Sequence, residues 1–145
     1  MIRVVVNAAP IDLAAELVAV EAAGAGGVAS FTGIVRGDDG VTALELEHYP
    51  GMTEAALRAL AEDATARWSL LAATIVHRVG VMVPGDRIVF VATAAPHRAA
   101  ALDACGFLID RLKTGAPFWK RERRGDDAAW VEARGSDDVA AARWG

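Results

Sequence analysis

The chain has 145 residues, of which 54% are hydrophobic and 23% charged, and carries a net charge of −4; it can build a buried core, and its charge disfavours nucleic acid or an anionic membrane as a partner. No apolar run approaches the roughly 18–20 residues of a bilayer span, and the opening Met1-Ile2-Arg3-Val4-Val5-Val6 lacks a signal-peptide layout. Cys105 is the single cysteine, which excludes an internal disulfide and fits a reducing compartment.

In chain order, residues 2–6 form a short strand. Asp12 caps a helix to about Ala23, closed by Gly24-Ala25-Gly26-Gly27. Val28–Arg36 is a strand, Gly37-Asp38-Asp39-Gly40 a turn and Val41–His48 a second strand, its alternation suggesting a hairpin with one solvated face. Thr53 is placed to cap the next helix, where Ala56, Leu57, Leu60, Ala61, Ala64 and Trp68 recur at helical spacing. A strand from about Ala73 to Val83 leads into Val83-Pro84-Gly85-Asp86, a type II turn, and Arg87–Thr93 is a central strand. Pro96 stands in the first turn of a helix reaching Thr114, stopped by Gly115 and Pro117. Phe118–Arg124 and Ala128–Ala133 make a second hairpin, and the tail from Ser136 forms a short helix. The length suits one domain of about 100–200 residues, spanning 1–145 with a hairpin subregion at about 115–135. Helices interleaved with antiparallel hairpins make the class α+β.

The charge distribution points to chemistry. Six of the 15 basic residues fall between Arg111 and Arg124, either as a local anion site or as a solvated strand edge. Thirteen basic residues are arginine; the two lysines, Lys113 and Lys120, stand seven positions apart. Arginine stays protonated, whereas a desolvated lysine can release its proton and act as base or nucleophile. On the 96–114 helix, Leu102, Cys105, Ile109 and Leu112 make the expected buried stripe. Lys113 projects within about 20° of Leu102, so it either snorkels to water or lines a pocket. His97 and Arg98 lie in the first turn, where free backbone N–H groups favour an anion. Three histidines and one cysteine without ligand spacing make a bound metal unexpected, and His48 and His77 are read as structural. Cys105 is read as inert packing.

Several stretches together resemble the molybdopterin synthase catalytic subunit, the MoaE family. They are Phe31-Thr32-Gly33-Ile34-Val35-Arg36, Leu46-Glu47-His48-Tyr49-Pro50-Gly51-Met52, Val76-His77-Arg78-Val79-Gly80, Pro84-Gly85-Asp86, His97-Arg98, Leu112-Lys113-Thr114, Ala116-Pro117-Phe118-Trp119-Lys120-Arg121-Glu122 and Trp130-Val131-Glu132-Ala133-Arg134. They occur in the family's order across nearly the whole chain. The resemblance implies an α/β hammerhead-type fold with an added β-hairpin region, and a cytoplasmic homodimer. Each protomer would bind a small ubiquitin-like sulfur-carrier subunit whose Gly-Gly thiocarboxylate tail enters its pocket. The substrate would be cyclic pyranopterin monophosphate (precursor Z) and the product molybdopterin, with two sulfurs installed as a dithiolene and no cofactor. Lys113 and Lys120 would be catalytic. Arg36, His97, Arg98, Arg121 and Arg134 would bind phosphate, pterin or carrier tail, with Ile34, Val35 and Glu122 in the same wall. Arg134 would reach the pocket from the neighbouring protomer. The Gly37–Gly40 turn is shorter than in relatives, and Gly115 stands where relatives can carry a basic residue.

Two rival classes accompany this expectation. One is a non-catalytic module docking a ubiquitin-like partner through an edge strand. The other is an RNA- or nucleotide-binding domain using the 111–124 basic cluster, which the overall acidity and the lack of an interleaved stacking platform oppose.

Overall fold

The computed structural model describes residues 1–21, 24–125 and 127–131, together with Ala142 and Trp144. Its strands are β1 (Ile2–Asn7), β2 (Gly27–Ile34), β3 (Ala43–His48), β4 (Ala72–Arg78), β5 (Gly80–Met82), β6 (Arg87–Ala95), β7 (Phe118–Arg124) and β8 (Asp127–Val131). Its helices are α1 (Leu13–Glu21), α2 (Met52–Trp68) and α3 (Arg98–Gly115). The strands form two four-stranded sheets, β1-β4-β6-β2 and β5-β3-β7-β8. All pairings are antiparallel except β1 with β4, so the α+β class holds.

The first sheet is apolar on both faces. Ile75, Val89 and Val91 turn toward α2 and α3, where Leu57, Ala61, Ala104, Phe107 and Leu108 complete a core. Val76, Phe90 and Ala92 turn the other way and are covered by α1 and the segment before it through Val20 and Ile11. This two-sided burial explains the nearly unbroken apolar run of β6, the central strand. A third cluster, Val35, Leu44, Leu46 and Met82, packs beneath the second sheet.

Local chemistry fixes the ends of the elements. The Asp12 carboxylate accepts from the Ala15 N–H at 3.1 Å, the expected cap of α1. In the 83–86 turn Gly85 has φ +96 and the Asp86 N–H donates to the Val83 carbonyl at 3.0 Å, as a type II turn requires. Between β2 and α3 the backbones nearly touch: a Cβ on Gly26 would fall 2.1 Å from the Pro96 carbonyl oxygen.

Five sequence expectations change. β3 does not hairpin onto β2; it lies in the other sheet between β5 and β7. The strand expected from Ala73 to Val83 divides at Val79, where Gly80 at φ +86 carries the chain from one sheet to the other. Thr53 is not the cap: Gly51 precedes α2, and its N–H donates to the Glu54 carboxylate at 3.1 Å. Pro96 stands outside α3, whose N-cap is His97. The buried stripe of α3 is Ala101, Ala104, Cys105, Phe107, Leu108 and Leu112, whereas Leu102 is 62% exposed. The expected tail helix falls largely outside the described residues. Trp144 is described: it packs edge-on against Trp68 and Phe107, and its indole N–H donates to the Asp110 carboxylate.

Candidate functional site

A cleft of about 510 Å³ opens where the two sheets meet the C-terminal end of α3. Each wall follows from local structure. β2 ends in a bulge between Gly33 and Ile34, and bulges re-aim the residues that follow. Beyond it, the Val35 N–H donates to the Asp86 carbonyl and the Val35 carbonyl accepts from Gly85, both at 2.9 Å. Val35 is thereby buried, and Ile34 and Arg36 stand on the cleft rim. The opposite wall is β7, whose two-residue period puts Phe118, Lys120, Glu122 and Arg124 into the cleft. Leu44, Leu46 and Ile88 form apolar floor.

Lys113 and Lys120 both line this cleft, one from the last turn of α3 and one from β7. The link between them is held from outside. The buried Thr53 hydroxyl donates to the Pro117 carbonyl at 2.9 Å and accepts from the Tyr49 N–H at 3.0 Å. The start of α2 thus fixes the path from one lysine to the other.

Four cationic side chains (Arg36, Lys113, Lys120, Arg124) and three carboxylates (Asp38, Asp39, Glu122) line the cleft. Glu122 is the organiser: its carboxylate meets the Arg124 guanidinium at 2.9 Å and the Lys120 ammonium at 3.8 Å. Arg124 also donates to the Asp39 carbonyl at 2.8 Å, tying the 38–40 turn to β7. That turn is a single 3-10 turn, with Asp39 at φ 57. Arg36 lies 3.6 Å from Asp38 with both side chains well exposed, a contact worth little in water and open to exchange for an anion. Side-chain cations around a concave, partly apolar wall suit an anionic reactant with an organic body.

His77 also lines the cleft, from β4. It is 5% exposed, stacks on Phe118 with ring centroids 4.1 Å apart, and its Nδ1 lies 2.8 Å from the Arg78 carbonyl. A carbonyl only accepts, so Nδ1 carries the proton and Nε2 is a bare acceptor. Burial lowers its pKa to about 4, against the Arg78 hydrogen bond that raises it; Lys113 and His48 add smaller lowering contributions.

The expected site residues therefore divide. Ile34, Val35, Arg36, Lys113, Lys120 and Glu122 share the cleft. Arg121 does not: it points to the other face of β7, where it and Arg123 reach Glu45 at 3.7 and 3.2 Å. His97 and Arg98 stand at the opposite end of α3, about 22 Å from Lys113 at the helical rise. Neither side chain lines the cleft of the same chain. Arg134 lies outside the described residues. Sequence reasoning missed Arg124 and His77. The strand period was the signal for Arg124, which shares a face with Lys120 and Glu122 as Arg121 cannot. His77 fell within a stretch that carried the family resemblance but was read as structural, because its neighbours across the cleft come from distant segments. Cys105 is buried, and burial pushes its thiol up to about 11, consistent with inert packing.

Fold and cleft together define an α+β protein with a charged cleft at the junction of two sheets. The model of the MoaE protein family matches residues 6–115. The chain is 50% identical over 145 residues to the molybdopterin synthase catalytic subunit of Cereibacter sphaeroides, covering 98% of this chain and 99% of that one. The solved molybdopterin biosynthesis MoaE protein of Burkholderia ambifaria superposes with a TM-score of 0.86 at 48% identity, covering 99% of this chain and 98% of that one. A more distant structure, a protein–protein complex of subunits 1 and 2 of molybdopterin-converting factor from Helicobacter pylori, shares the fold at 20% identity and TM-score 0.77, covering 92% and 91% of the two chains. The chain belongs to the MoaE family.

Proposed function

We propose that this chain is the catalytic subunit of a molybdopterin synthase: it takes sulfur from the thiocarboxylate tail of a small ubiquitin-like carrier and installs a dithiolene on cyclic pyranopterin monophosphate. The observation that carries the reading is the meeting of Lys113 and Lys120 with Arg36 and Glu122 in one cleft. Both reactants are anionic at the reacting end. Arg36 and Arg124 present planar guanidinium forks to phosphate or carboxylate. The sulfur arrives on the carrier, so the chain needs no reactive thiol, in keeping with a buried Cys105.

Each transfer bonds the thiocarboxylate sulfur to a substrate carbon that loses an oxygen substituent; water then adds to the resulting thioester carbonyl, negative charge develops on its oxygen, and collapse breaks the acyl–sulfur bond and frees the carrier as a carboxylate. Lys113 stabilises that charge and polarises the reacting centre, while Lys120, held beside Glu122, assists proton transfer and places the phosphate. Glu122 orients Lys120 and Arg124 together. The protein acts as a homodimer in the cytoplasm, each protomer docking one carrier. Among the described residues no helix is long and apolar enough to cross a membrane. The test is incubation with precursor Z and thiocarboxylated carrier, followed by mass. The dithiolene product should form only when all three components are present; its absence from the complete mixture overturns the reading.

A further inference from the structure

The geometry points to His77 as a substrate-orienting residue: a fixed, uncharged acceptor in the cleft that receives a ring N–H of the pterin. The inference rests on the molybdopterin synthase reading and adds a residue to it. Three observations carry it. The ring is almost wholly buried yet lines the cleft that holds Lys113 and Lys120. Its orientation is set from two sides, by the stack on Phe118 at 4.1 Å and by the Nδ1 contact to the Arg78 carbonyl at 2.8 Å. That contact uses up the only proton of a neutral imidazole, which leaves Nε2 as an acceptor. Among the described residues no hydrogen bond reaches Nε2.

An acceptor on a cleft wall is satisfied by whatever occupies the cleft. Its complement is a donor, and the phosphate and thiocarboxylate ends of the reactants are acceptors. The pterin ring and the Gly-Gly backbone of the tail both carry N–H donors; the flat wall made by His77 stacked on Phe118 favours the planar ring, and separate measurements on precursor Z and on the carrier distinguish the two. Nor is His77 suited to carry a proton: burial holds it neutral, and the Lys113 charge opposes a second proton. Its part is to fix which edge of the ring faces the lysines. The cations recognise charge from several directions; a single rigid acceptor recognises an edge.

The test compares three forms of the full-length chain by calorimetric binding of precursor Z and, separately, of the carrier. His77→Phe keeps a flat ring against Phe118 and removes both nitrogens. His77→Gln restores an acceptor near the Nε2 position. The Phe variant should bind precursor Z about 10-fold or more weakly, the equivalent of one lost buried hydrogen bond. It should bind the carrier within about twofold of wild type, and the Gln variant should recover most of the substrate affinity. If the Phe chain does not fold, His77→Asn takes its place, since it keeps a donor for the Arg78 carbonyl without an acceptor at Nε2, and the same loss is expected. Substrate binding by the Phe or Asn variant within twofold of wild type overturns the inference alone. So does an equal loss in the Gln variant, or a parallel loss of carrier affinity. Wild-type chain that fails to bind precursor Z overturns the functional reading and this inference with it.

Discussion

Lys113 and Lys120 are the only lysines in a chain that otherwise takes its side-chain positive charge from arginine. Both line one cleft, where the proposed chemistry has a use for an ammonium group that a guanidinium does not share. Lys113→Ala should lower turnover by about 10²–10³ with little change in melting temperature, because the side chain lies outside the buried core. Lys113→Arg should keep the charge and much of the substrate affinity but not the rate; steady-state kinetics separates the two. The neighbouring arginines differ by one step along a strand. Arg124 faces the cleft, and its substitution by alanine should raise the KM for the pterin phosphate. Arg121 pairs with Glu45 on the other face, and Arg121→Ala should leave that KM within about twofold of wild type. Equal effects at both positions would contradict the assignment of β7's faces.

Among the elements, those with local signals were legible in the sequence. The Asp12 cap, the Pro84-Gly85 turn, the central β6 and the β7–β8 hairpin all follow from residues within a few positions of one another. Pairing partners set at a distance were not. The alternation in β3 showed a two-faced strand but not that its partner is β7, with Glu45 opposite Arg121. The break at Val79 was hidden in a run rich in β-branched residues, since Gly80 only becomes a crossover once the second sheet exists to receive it. The period of α3 was visible while the centre of its buried stripe was not. Alanines surround Leu102, and where the sheet lies decides which of them it covers. The same limit applied to the cleft: its lysines, Arg36 and Glu122 were marked by composition and resemblance, while His77 required the fold. Thr53 is the element-scale prediction. Its hydroxyl bonds both Tyr49 and Pro117, so Thr53→Val should cost about 1–2 kcal/mol by leaving partly buried backbone groups unpaired. It should also lower turnover by loosening the 113–120 path. Urea unfolding and kinetics of the same variant check both effects; a variant with wild-type stability and rate would remove Thr53 from the account.

At the scale of the whole molecule, the buried histidine links folding to pH. His77 has a folded-state pKa of about 4 against 6.5 for an unperturbed histidine. The unfolded chain therefore takes up a proton below about 6.5 that the folded chain refuses until about 4. The stabilisation is complete above 6.5, declines as pH falls through that window, and stops changing below 4, where both states are protonated. The loss is on the order of 3 kcal/mol. Denaturant midpoints between pH 7 and pH 4.5 should fall more steeply for wild type than for His77→Phe, which has no proton to bind at that position. Parallel pH dependence in the two proteins would mean that the ring is not held neutral by burial.

Two amines acting together on anionic reactants in one cleft are the core of the proposed chemistry, and the most direct measurement is product mass with thiocarboxylated carrier and precursor Z, wild type beside the Lys113→Ala/Lys120→Ala double variant. The wild-type chain should yield dithiolene and the double variant should yield none above the carrier-only control while still binding the carrier. Dithiolene formation by the double variant at a rate near wild type would contradict it.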